Sequence, residues 1–258
     1  MGDLKKKGLG KKFISGIYNY CDRWCERCSL TSKCFLYAKD QKRLAEHRRK
    51  GEDPYDWKIV MKDVAKSFKE TKELILKTAK ERGIDLENLP EEEYESPDPT
   101  GHPLYQRSHN YMDLARKFLE RLRKSIQAFG IELPERIEII PSSVEDVETL
   151  REIVSCHEII SWYHTQISVK VYRALGSKME KSEDKELDEI DIYDANGSAK
   201  IAYLGVVKSI VALQKVYHWN EDLQDDALTL LVEADRLRRM IDKKFPGHRT
   251  FKRPGFDE

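Results

Sequence analysis

Four of the five cysteines, Cys21, Cys25, Cys28 and Cys34, lie within a short stretch near the N-terminus. Thiolates are strong ligands for Zn²⁺ and for iron–sulfur clusters. Two disulfides inside so short a loop would strain the S–S geometry, so the pattern favours a metal centre over paired disulfides. We therefore expect these four residues to bind a metal ion or a cluster.

The spacing of the four cysteines is C-x3-C-x2-C-x5-C. If the first part of the stretch is helical, Cys21, Cys25 and Cys28 share one helix face. A turn over residues 29–33 then returns Cys34 to the other three. The sequence predicts that all four sulfurs converge on one site.

The identity of the metal is predicted from the compactness of this motif. Structural zinc sites commonly use two C-x2-C pairs separated by a longer loop, and only one such pair, Cys25 and Cys28, occurs here. A [4Fe–4S] cluster is broader, and short gaps of two and three residues suit it. We expect an iron–sulfur cluster, with zinc as the alternative cofactor.

The run Cys25-x2-Cys28-x5-Cys34 resembles the cluster loop of the endonuclease III family of DNA glycosylases, and the resemblance implies a [4Fe–4S] cluster. The first gap is shorter here, and the chain shows no helix-hairpin-helix glycine motif, so no DNA repair activity is implied. The opening Cys21-x3-Cys25-x2-Cys28 also looks like the radical-SAM triad. That family places its triad after a barrel strand, which this chain lacks, and leaves one iron open, whereas a fourth cysteine is present here.

A second candidate site lies on a helix predicted over residues 143–175. His157 and His164 fall two turns apart on its inward face, with Glu158 beside them. The functional interpretation is a metal or ligand site inside a helical bundle, completed by polar residues of facing helices. The alternative is that both histidines are hydrogen-bonded core residues, and Cys156 is interpreted in the same way as a small buried side chain. The candidate facing residues are His109, Asp113 and Glu233.

Apolar residues recur at helical spacing through most of the chain, so the predicted fold class is all-α. Four to five long helices are expected to form an antiparallel bundle, preceded by a helical, cysteine-rich metal-binding segment. The domain prediction is a basic leader and four-cysteine segment over residues 1–52 and a bundle over 53–258, with a linker at 84–104. A short extended connector is expected at 136–140.

Charged residues make up 36% of the chain and cancel to a formal net charge of zero. This balance predicts no general attraction to nucleic acid or to a membrane surface. Clustered cysteines favour a reducing compartment, so a cytoplasmic location is expected. The apolar helix faces leave room for a homo-oligomer, and the sequence names no substrate and does not decide whether the protein is an enzyme.

Three functions follow from these patterns. The first is a redox, electron-transfer or sensing protein that carries an iron–sulfur cluster and acts with a protein redox partner. The second is a zinc-stapled scaffold or adaptor for protein–protein interaction. The third is an oxidase-like enzyme with a metal at His157, Glu158 and His164.

Overall fold

The computed structural model describes residues 12–86, 96–130, 147–180 and 185–257. Across these ranges the regular structure is helical and no strand occurs, so the all-α class is confirmed. The predicted connector at 136–140 lies outside them. The described α-helices are α1 (Phe35–Arg49), α2 (Trp57–Arg82), α3 (Pro103–Gln127), α4 (Val147–Met179), α5 (Lys185–Trp219) and α6 (Gln224–Lys244).

The chain divides into two compact units. Unit 1 comprises Met1–Ser15 and Cys25–Glu95, and unit 2 comprises Gly16–Trp24 and Ser96–Glu258. The predicted domain division at residue 53 and the predicted linker at 84–104 remain sequence-based predictions. None of the described helices is both long and apolar enough to cross a membrane.

Unit 2 is organised by four long helices, each packed on two others. Helix α3 packs on α4, α4 on α5, α5 on α6, and α6 on α3, so the four enclose one apolar core. Burial at three- and four-residue steps places one face of each helix in that core, because residues at these steps share a helix face. The residues of α3 predicted to face inward are Tyr111, Leu114, Phe118, Leu122 and Ile126. Leu114 is partly buried against the core, and the other four are buried.

The contact between α4 and α5 depends on small side chains. A run of buried small residues lies on α5, so that bulky side chains can approach its backbone closely. A Cβ atom added at Gly205 would overlap the ring of Tyr163 on α4. A Cβ atom added at Gly197 would overlap the rings of Tyr20 and Phe251.

The C-terminal segment packs on α5 and α6 of unit 2. Phe245, His248 and Phe251 are buried. His248 Nε2 lies 2.8 Å from a carboxylate oxygen of Asp242, which supplies a partner for the buried ring. The segment therefore forms part of the folded core of unit 2.

Two helix boundaries differ from the sequence prediction. Helix α4 continues through Gly176 to Met179. A glycine commonly ends a helix when its backbone adopts a positive φ, as Gly83 does at 68° after α2. Gly176 does not adopt a positive φ, so the helix does not end there. The sequence also predicts a charged loop over 176–192 and a helix start capped by Asp194, but α5 begins at Lys185 and Asp194 lies inside it. Its carboxylate accepts hydrogen bonds from Arg173 of α4 at 2.6 and 2.9 Å.

Polar side chains join α1 to α2 in the described part of unit 1. Arg43 on α1 donates to Asp63 on α2 at 2.9 Å. The ring of His47 lies 2.6 Å from a Glu52 carboxylate oxygen and 2.9 Å from one of Asp63. The hydrogen bond to Glu52 and, to a smaller extent, the one to Asp63 raise the pKa of His47 above its usual value. Desolvation of the ring opposes this shift. Among the described residues of this unit only Leu44, His47, Pro54 and Ala79 are buried, so its apolar core is small.

Gly197→Ala should destabilise unit 2 by roughly 1–3 kcal/mol, because the added methyl overlaps two aromatic rings that the surrounding core holds in place. Gly176→Ala is the matched control, since nothing lies within 4 Å of its added Cβ and alanine favours a helix. Urea unfolding followed by circular dichroism at 222 nm measures both. Equal stability of the two variants would contradict the close approach at Gly197.

Candidate metal centre

The cysteine segment consists of turns, not of the helix that would place three cysteines on one face. Short 3-10 turns occur at Cys25–Arg27 and Thr31–Lys33, and residues 16–24 contain no helix. Arg23 has a φ of 58°, which a right-handed helix does not accommodate. The conditional prediction of a helix through Cys21, Cys25 and Cys28 is therefore wrong.

Three of the four cysteines belong to the same part of unit 1. The backbone N–H of Cys28 donates to the Cys25 carbonyl at 3.2 Å. The N–H of Leu30 donates to the Cys28 sulfur at 3.4 Å, and Cys34 is the N-cap residue of α1. The Cys28 sulfur therefore has a backbone hydrogen-bond partner within its own turn.

Cys21 belongs to unit 2, where its thiol donates to the Tyr18 carbonyl at 3.7 Å. All five cysteines are thiols, and the four clustered ones are partly exposed. Within the described part of the chain, no three His, Cys, Asp or Glu side chains form a group that could hold a metal ion. Metal binding supplies the free energy that gathers its own ligands. The four-cysteine centre remains a prediction from spacing.

The residue after Cys21 anchors the start of the cysteine segment within unit 2. The Tyr163 hydroxyl donates to the Asp22 carboxylate at 2.5 Å, and the Lys208 ammonium lies 3.3 Å from the same carboxylate. The Asp22 carbonyl accepts from Trp162 Nε1 at 2.9 Å and from Gln166 Nε2 at 2.5 Å. This single residue therefore satisfies donors from α4 and α5.

The electrostatics of Asp22 follow from these contacts. Burial opposes its negative charge, but the Tyr163 hydrogen bond and the Lys208 charge together hold its pKa below the usual value. Trp24 stacks on Trp162 with ring centroids 5.1 Å apart and so covers the same region. Sequence reasoning missed this cluster, because Asp22 and Tyr163 are 141 residues apart and no local pattern links them.

The three residues of the second candidate site lie on α4. His157 is partly buried. Desolvation of its ring and, to a smaller extent, the positive charge of Arg123 lower its pKa to about 4. The ring is therefore neutral near pH 7, which is the form that can bind a metal. His164 Nδ1 lies 2.7 Å from the Ser161 carbonyl and must be the donor, since a carbonyl only accepts.

The facing residues proposed to complete this second site have other partners. Asp113 accepts from Arg116 at 3.1 Å and lies 3.5 Å from His109. Glu233, which is buried, accepts from Arg107 at 2.6 Å and from Arg236 at 2.7 Å. A shallow groove of about 480 Å³ lies beside these arginines. The set His157, Glu158 and His164 stays a sequence-based prediction, and Cys156 is buried as expected.

Comparison with known proteins adds no relative. No family model matches the chain, and no curated protein or solved structure matches it. Any functional statement therefore rests on the residues and contacts described above.

Asp22→Asn should lower the free energy of unfolding by about 2 kcal/mol near pH 7, because it removes a charge-assisted acceptor from Tyr163 and Lys208. The folded pKa of Asp22 is depressed, so its contribution is present above the unfolded pKa and disappears as pH falls through the folded pKa. Urea titrations of both proteins at several pH values measure this. Asp113→Asn, a change at an exposed ion pair, should shift stability by less than about 1 kcal/mol.

His157 should make the folded state sensitive to acid. Its pKa of about 4 in the folded chain lies below that of an unfolded histidine, so the unfolded state takes up a proton first as pH falls. Wild-type stability should decrease between about pH 6.5 and 4, by an amount on the order of 3 kcal/mol. His157→Asn should lack this component, whereas His109→Asn, at an exposed position, should keep it. Parallel slopes for wild type and His157→Asn would refute the assignment.

Proposed function

We propose that this chain is a metalloprotein in which Cys21, Cys25, Cys28 and Cys34 hold an iron–sulfur cluster of the [4Fe–4S] type. The observation that carries the proposal is the presence of four thiols within one short stretch. Such a cluster supplies one-electron chemistry when bound. The cysteines hold it, and the role is electron transfer to a protein partner or the sensing of oxidation.

The local backbone supports the ligand role of the cysteines. The Cys28 N–H donates to the Cys25 carbonyl across a single turn, and the Leu30 N–H donates to the Cys28 sulfur. Hydrogen bonds to sulfur are one of the means by which a protein sets a cluster potential. Arg27 and Lys33 lie within the same loop and offset part of the charge of four thiolates.

The small core of unit 1 gives the metal a structural role as well. Domains that bury few apolar side chains commonly need a metal or a disulfide for stability. The described part of unit 1 has four buried residues, and its α1–α2 contact relies on ion pairs that include Arg43, His47 and Asp63. A bound metal would therefore stabilise this unit in addition to serving redox chemistry.

Unit 2 is the scaffold in this proposal. Its four helices would act as an antiparallel bundle that holds the start of the cysteine segment, with Asp22 as the anchoring residue. Clustered thiols stay reduced and available for a metal in a reducing compartment, so the proposed location is the cytoplasm.

Zinc is the second candidate, and the C-x2-C turn favours it. Cys25 and Cys28 enclose a 3-10 turn with a backbone N–H directed at a sulfur, which is an arrangement that also suits a tetrahedral ion. The protein would then be a zinc-stapled adaptor whose surface binds other proteins. Zinc performs no redox chemistry, so the two candidates differ in a measurable property.

Anaerobic purification should yield a brown protein with absorbance near about 400 nm and comparable amounts of iron and sulfide. Replacing Cys21, Cys25, Cys28 and Cys34 with serine should remove the colour and the iron. Cys156→Ser is the matched control and should retain both, because Cys156 is buried in unit 2. Colourless protein with one zinc per chain would select the adaptor, and protein without either metal would refute the proposed centre.

A further inference from the structure

Helix α2 carries an apolar face that the other described residues of unit 1 leave exposed. Trp57 and Phe68 are each 72% exposed, and Met61, Val64 and Ile75 are exposed as well. These five residues recur at steps of three, four and seven, so they lie on one side of the helix, here called the α2 apolar face. Contiguous exposed apolar surface of this kind marks an interaction site in a folded protein.

The rest of α2 is strongly basic. The helix has eight basic residues against four acidic ones, Asp63, Glu70, Glu73 and Glu81. Long lysine side chains next to an apolar face can extend towards a charged boundary while their stems stay on apolar surface. The basic residues are Lys58, Lys62, Lys66, Lys69, Lys72, Lys77, Lys80 and Arg82.

The charge of the whole chain is distributed unevenly. Residues 1–82 contain 22 Lys and Arg against 12 Asp and Glu, so their formal charge is +10. The remaining residues contain 24 basic and 34 acidic side chains, so their formal charge is −10. The net charge of zero, which alone predicts no attraction to anionic surfaces, is the sum of these two opposite charges. Helix α2 therefore lies in a stretch that does attract anions.

We propose that α2 is an interfacial helix that binds the surface of an anionic lipid bilayer. In this arrangement the α2 apolar face enters the boundary between headgroups and acyl chains, and the flanking lysines contact lipid phosphates. A helix with aromatic and aliphatic residues on one face and lysines on the other has the composition for this mode of binding. Acidic lipids near the helix attract each such lysine, so the charge and the apolar face act together.

The shape of the apolar face favours a lipid surface over a second copy of the chain. Leu74 and Leu76 are exposed and lie about 100° to either side of Ile75, so the exposed apolar surface is widest around Ile75, one turn before the buried Ala79. One partner helix covers a narrow seam, whereas a bilayer boundary accepts the wider face. A second copy would also place two positively charged helices side by side. Nucleic acid would engage the lysines but not Met61, Val64 or Ile75.

The test is flotation of the full chain with vesicles of phosphatidylcholine containing about 30% phosphatidylserine, compared with vesicles of phosphatidylcholine alone. Wild type should bind the anionic vesicles at least ~10-fold more strongly, and added salt should weaken binding. Phe68→Ser should reduce binding roughly 10-fold or more, because it removes an aromatic ring from the apolar boundary. Leu228→Ser, at an exposed position of α6, is the matched control and should bind as wild type does.

Two double variants test whether vesicle binding depends on where the basic residues lie or only on the net charge of the protein. Lys69→Glu with Lys72→Glu should reduce vesicle binding roughly 10-fold or more. Lys117→Glu with Lys124→Glu on α3 changes the net charge equally at exposed positions and should leave binding unchanged. Equal losses for both pairs would overturn the proposal.

Three further outcomes would also overturn it. One is equal binding to neutral and anionic vesicles. Another is a dimer in light scattering that Phe68→Ser dissociates, which would assign the face to a second copy. The last is tight binding to duplex DNA, insensitive to Phe68→Ser, with no vesicle binding.

Discussion

The packing of α4 on α5 is the contact on which the structure of unit 2 depends. Small residues on α5 allow bulky α4 side chains to approach its backbone, and Tyr163 lies over Gly205 for this reason. The same tyrosine directs its hydroxyl at Asp22, and Lys208 of α5 joins that contact. Close helix packing thereby creates the polar anchor that holds the residue following Cys21. A bundle with larger side chains on α5 could not place these groups together.

The two units are stabilised by different physical means. Unit 2 buries a continuous apolar core between four helices, so hydrophobic burial accounts for most of its stability. The described part of unit 1 buries few side chains and joins α1 to α2 through ion pairs at Asp63. Partly exposed ion pairs contribute little each, because solvent screens them. The described part of unit 1 therefore depends more on polar contacts than unit 2 does.

Helical periodicity predicts the presence of the helices better than it predicts where each helix begins and ends. The inward residues of α3 were predictable because the three- and four-residue steps are local. The end of α4 was not predictable from Gly176, since a glycine ends a helix only when its backbone adopts a left-handed conformation. Asp194 is a good N-cap residue by type, but it lies inside α5 and accepts a hydrogen bond from Arg173 on α4. The exposure of the α2 apolar face was likewise not predictable from the sequence, because periodicity identifies an apolar face but not whether another element covers it.

The amino-acid sequence by itself determined the all-α class, the positions of the long helices and the presence of four closely spaced thiols, because each of these follows from residue type and local spacing. Only the tertiary structure decided that Asp22 meets Tyr163 and Lys208, that Glu233 pairs with Arg107, and that Trp57 and Phe68 stay exposed. These outcomes depend on contacts between residues far apart in the chain. No local pattern encodes such contacts, since they arise when whole helices pack and their side chains compete for the same partners.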